Sequence, residues 1–170
     1  MRNKNARMST SHWLARGLLA YLAAAVIGYL VAIVFATSAN LINLAAIGAS
    51  IGAGDALRTY LFDLWGMTPR FNELARYGNV LLIGFAIAFP VAALLRALTL
   101  RAGAPGQRIA PVLYPLAGAV ALGTGLTIMF QQYEVTAVAG ARGHGFWAQC
   151  VAGAIAGFVF GRVAHRGSEA

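Results

Sequence analysis

The chain has 170 residues, enough for one domain, and is 59% hydrophobic but only 11% charged, with a mean hydropathy of +0.69. A soluble domain carries about 25% charged residues, so a water-exposed globule is excluded and the several long apolar runs indicate a polytopic membrane protein. The net charge of +8 does not indicate nucleic acid, because the basic residues cluster at the ends of the apolar runs, where membrane orientation accounts for them.

Cysteine and histidine usage narrows the chemistry further. The single cysteine, Cys150, rules out an internal disulfide and any multi-cysteine metal or iron–sulfur site. His12, His144 and His165 all lie outside the centres of the apolar runs, which argues against bis-histidine haem ligation in the membrane. No cofactor and no metal is expected.

Residues 1–16 form a basic segment with Arg2, Lys4, Arg7 and Arg16 and no acid. The apolar run over about 17–37 is longer than the 7–15 residues of a signal-peptide core, and it reads as an uncleaved transmembrane helix. Ala20, Ala24, Gly28, Ala32 and Ala36 recur in it with period four. Such a ridge stacks on one helix face and lets a neighbouring backbone approach closely.

A long external loop is expected over 39–78. Its first part, Leu41 to Gly54, is too short to span, since fourteen residues make about 21 Å of helix against a roughly 30 Å core. It reads as a helix extension, an interfacial segment or a re-entrant dip. Gly48 to Gly54 resembles a phosphate-binding loop only superficially, since the Gly-Lys-Ser/Thr ending and the preceding strand are missing. Asp55 is expected to cap a short amphipathic helix over Ala56 to Trp65, with Leu57, Tyr60, Leu61, Leu64 and Trp65 on a face suited to the lipid–water boundary. Thr68 and Pro69 then read as the start of another short helix.

The second transmembrane helix is expected over about 79–97, kinked at Pro90. The third covers about 109–130, with Pro111 and Pro115 in its first turns and a ridge at Ala117, Ala121 and Gly125. The fourth covers about 146–163. Gly153, Gly157 and Gly161 lie one above another on it and leave a groove without side chains. Alanine and glycine make up 55 of the 170 residues, so three-member ridges arise readily by chance, and contact within the bundle is the default use of this groove.

The expected fold is therefore an all-α membrane protein. Four transmembrane helices form two hairpins within a single domain over 17–166, with an amphipathic segment in the loop between helices one and two and a tail over 167–170. Four spans place nine Lys/Arg on the side of the termini and four on the other. A fifth span at 41–54 would make the division eight against five. The four-span scheme, with both termini cytoplasmic in an inner membrane, fits the charge rule better.

Polar candidates are few. Glu134 and His144, with Arg142 between them, suggest an outer-face acid–base site, against the ordinary reading of a solvated loop. Cys150 lacks the partners of a catalytic nucleophile and reads as a small packing residue. Asn40, Asn43 and Thr124 are candidates to line a pocket. Trp65, Tyr60, Tyr133 and Trp147 at the outer boundary, and Trp13 at the inner one, read as an aromatic belt. The reading carried forward is a non-catalytic structural or accessory membrane protein. It packs through small-xxx-small helix faces, with the lipid bilayer, and itself or other membrane subunits, as partners. The alternatives are a small permease or channel component near Asn40, Asn43 and Thr124, and a membrane enzyme using Glu134 and His144.

Overall fold

A computed structural model describes the backbone of residues 4–73, 76–102, 106–133 and 141–165, and the side chains of 14–73, 76–102, 111–131 and 141–164. The described residues form five helices and no strand: α1 (Lys4–Ala46), α2 (Ala53–Gly66), α3 (Tyr77–Arg101), α4 (Gly106–Tyr133) and α5 (His144–His165). Four of them are long and apolar enough to cross a membrane, through Leu14–Ala46, Tyr77–Arg101, Pro111–Gln131 and His144–Ala164.

The first helix does not stop near residue 37. It runs through Thr37-Ser38-Ala39-Asn40 because the Ser38 hydroxyl, instead of competing for the chain, donates back to the Val34 carbonyl at 2.6 Å. Its stop is at Gly48, which adopts φ +90°. There the Ala49 N–H reaches the Leu44 carbonyl and the Gly48 N–H reaches the Ala45 carbonyl, the paired bonds of a glycine-closed helix end. At 43 residues α1 is about 64 Å long, twice the hydrocarbon thickness. The expected loop 39–78 thus contains the last turns of α1 and all of α2.

Three further local expectations are corrected. Helix α2 starts at Ala53 behind an extended Gly52, so Asp55 is its third residue and accepts the Gly52 N–H at 3.3 Å. Thr68 opens no new helix, because its hydroxyl donates back to the Leu64 carbonyl at 2.8 Å and the chain turns instead. Helix α4 begins at Gly106, which moves Pro111 and Pro115 beyond its first turn.

The bundle is arranged around α5. Helix α1 packs along one flank of α5 and α4 along the other, while α3 packs on α4 and meets α1 only over a short stretch. The main partner of the first span is therefore the last one, not the second. The two flanks of α5 differ in how they meet their neighbours. Toward α1, fully buried Ala152 and Ala156 face the buried ridge Ala24, Gly28 and Ala32; a Cβ added at Gly28 would come 2.7 Å from the Ala156 Cβ. Toward α4, a Cβ at Gly153 would lie 2.7 Å from the Gly118 carbonyl carbon, and one at Gly157 would lie 2.5 Å from that of Tyr114. Those α4 neighbours are backbone atoms, which cannot step aside. Ala117, Ala121 and Gly125, the ridge expected on this helix, instead line its groove with α3.

Beside these contacts the core is aromatic. Phe85, Phe89 and Phe160 stack in succession, with ring centroids 5.0 and 4.4 Å apart, and the Tyr114 ring is tilted against Phe160 at 5.3 Å. Such pairs contribute about 0.5–1.5 kcal/mol each beyond their burial, and they join α3, α5 and α4.

Replacing Gly157 by Ile should cost at least about 1–3 kcal/mol through overpacking against the α4 backbone. Gly17, with no atom within 4 Å of an added Cβ, should accept Ala with no loss and a gain of up to about 1 kcal/mol. Unfolding of the two variants in mild detergent measures both effects.

Candidate functional site

In a helix surrounded by lipid, a polar side chain must find its partner inside the protein. Gln149 is the clearest case. It is fully buried on α5, where its Oε1 accepts the Tyr77 hydroxyl of α3 at 2.5 Å and its Nε2 donates to the Ala32 carbonyl of α1 at 2.9 Å. One amide thus joins three helices that are distant in sequence. The absence of a side chain at Gly28 and the small side chains of Ala24 and Ala32 let α1 come close enough to α5 for that reach.

A second polar cluster lies between α1 and α2. Thr37 donates to the Asp63 carboxylate at 2.8 Å, Ser38 and Tyr60 share a hydrogen bond at 2.7 Å, and the Tyr29 hydroxyl donates to the Leu64 carbonyl at 2.6 Å. These pairs set α2 antiparallel to the C-terminal half of α1. The α2–α3 connection is tied down as well. The Gly78 N–H donates to Met67 O at 3.1 Å, Arg76 donates to Gly66 O and to Glu73, and the Asn79 amide donates to Arg70 O and Glu73 O. Gly78 has to be a glycine here: an added Cβ would lie 2.7 Å from both Met67 O and Pro69 Cδ.

The residues singled out in the sequence are scattered. Thr124 lines the apolar groove of about 630 Å³ between α3 and α4, which opens on the outside of the bundle. Asn40 is half-buried near the end of α1, and Asn43 is exposed; neither lines that groove. His144 is exposed in the first turn of α5, and the Arg142 guanidinium lies over the Phe130 ring at 4.9 Å. Glu134 lies outside the described residues, as do the side chains of Tyr133 and Trp13. Cys150 is half-buried with its sulfur toward Gly123 on α4. Among the described residues no group of three His, Cys, Asp or Glu is placed to hold a metal ion.

The polar residues that matter to the fold were less conspicuous in the sequence. Gln149 is the one amide inside the last apolar run, three residues before Ala152, and that position was its signal. The partnership of Thr37 with Asp63 had none, since it depends on α2 folding back.

The polar groups described here hold helices together. Replacing Tyr77 by Phe should cost about 0.6–2 kcal/mol by leaving the Gln149 carbonyl oxygen short of a partner, and Gln149→Leu should cost a similar amount. The double variant should be less destabilised than the sum of the two. Unfolding free energies of the four proteins close this cycle. Comparison with protein-family models, curated proteins and solved structures finds no match for this chain.

Proposed function

We propose that the chain is an inner-membrane protein of structural or accessory type, a four-span bundle packed through small-residue helix faces, with both termini in the cytoplasm and α2 in the external connection between the first two spans. The observation that carries this reading is the use to which the polar side chains are put. Gln149, Tyr77, Tyr29, Thr37, Ser38 and Asp63 are all engaged in hydrogen bonds between helices. Two grooves among the described residues, one between α3 and α4 that includes Val80 and Met129 and one between α4 and α5 that includes Ala119 and Cys150, are lined mostly by apolar side chains. A bundle organised in this way offers other membrane subunits a rigid apolar face, on which close packing and not apolar burial drives association.

The experiment is co-purification from native membranes in mild detergent. The expected result is another membrane protein, or a second copy, in stoichiometric amount. Solute uptake by proteoliposomes of the chain alone would overturn the accessory reading in favour of a permease. The orientation has its own check: reporter fusions at residue 104 and at the C-terminus should both report cytoplasm, and a signal from the opposite side at either position would overturn it.

A further inference from the structure

We propose that α2 inserts its outward face, Leu61, Phe62 and Trp65, with Phe71 of the following turn, into the lipid leaflet at its end of the bundle. The proposal rests on reading α1, α3, α4 and α5 as membrane spans. A short helix lying on a membrane usually presents its polar face to water. Helix α2 is arranged the other way round. Its hydrogen-bonding residues turn inward, with Tyr60 on Ser38, Asp63 on Thr37 and the Leu64 carbonyl on Tyr29. Its outward face carries Leu61 (60% exposed), Phe62 (75%) and Trp65 (75%), and Phe71 is fully exposed just beyond it. None of its residues is buried in the fold. A face so apolar, with the polar partners already supplied by α1, is suited to lipid.

The depth agrees. The C-terminal end of α2 is bonded to the start of α3 through Gly78 to Met67 O and Arg76 to Gly66 O. The apolar stretch of α3 begins at Tyr77, so Trp65 lies near the edge of the hydrocarbon, where tryptophan is enriched. Leu61, one turn further along, is about 6 Å higher, within a head-group zone of roughly 5–8 Å. Trp147 is also exposed in the first turn of α5, at the same end of the bundle. The apolar surface of the spans thus continues onto α2. Arg58 shares this outward face, one turn before Phe62, and with Asp55 it is exposed in the first turns of α2, at the end of the helix farther from the hydrocarbon, where its guanidinium is at the level of head groups and water.

Tryptophan quenching in proteoliposomes tests this. A variant with Trp13→Phe and Trp147→Phe leaves Trp65 as the sole tryptophan, and a second with Trp13→Phe and Trp65→Phe leaves Trp147. The bilayers contain phospholipid brominated either near the head group or near the chain end, and iodide is the aqueous quencher. Trp65 should be quenched by head-group-proximal bromine more than by bromine near the chain end, and little by iodide. Quenching by iodide and not by bromine would overturn the proposal, since α2 would then stand in water. Shielding from both would overturn it too, because protein, a partner or a second copy, would cover the face. Trp147 separates the two levels. If bromine quenches Trp147 but not Trp65, the spans stand and the α2 proposal falls. If it quenches neither, the membrane reading itself fails.

Discussion

The backbones of α4 and α5 come close together where Gly153 and Gly157 lie against Gly118 and Tyr114 without a side chain between them. In lipid there is no hydrophobic gain from bringing two apolar helices together, so the attraction has to come from dispersion between atoms at contact distance. Glycine allows that contact along about one turn of both helices. Once α5 is held there, its opposite flank, Ala152 and Ala156, is presented to the alanine ridge of α1, and the same economy of side chains operates again. The centre of the bundle is thus α5, with α1 on one flank and α4 on the other.

Close backbone packing has little power to choose between registers, because alanine and glycine recur on every span. Register is specified by groups that have one partner each. Gln149 cannot slide along α1 without losing the Ala32 carbonyl, nor can α3 shift without withdrawing the Tyr77 hydroxyl. An unpaired amide in a dry bundle costs more than the bond itself contributes. The rings of Phe85, Phe89, Phe160 and Tyr114 act at the other end in a similar way, through shape. Small residues therefore supply proximity, while an amide, a phenol and a few rings supply alignment.

Helix α2 obeys a different balance. It buries no residue and is held to α1 by hydrogen bonds that Thr37 and Tyr29 donate and one that Ser38 shares with Tyr60, with its large apolar side chains left outside. The length of α1 makes this possible: the turns beyond residue 37 give α2 something to fold back upon. That extension depends on the Ser38 hydroxyl being satisfied within its own helix, and on Gly48 being able to adopt the left-handed conformation that closes it. Neither was apparent from composition, since serine and asparagine beside an apolar run ordinarily signal its end.

Sequence alone determined the class of the protein and its four long apolar helices, because both follow from properties that are local. Twenty or so consecutive apolar residues must become helix in lipid, whatever they pack against, since no other arrangement satisfies their backbone. It also picked out Gly153, Gly157 and Gly161, although the ridge chosen on α4 was Ala117, Ala121 and Gly125, which face α3, and not Gly118, which meets α5. Which face meets which neighbour was left to the tertiary structure, because small-residue faces are nearly interchangeable and only the whole set of contacts distinguishes them. The same holds for the polar groups. Thr37, Asp63, Tyr77 and Gln149 are far apart in the chain, and their bonds exist only once α5 lies between α1 and α4 and α2 has turned back along α1.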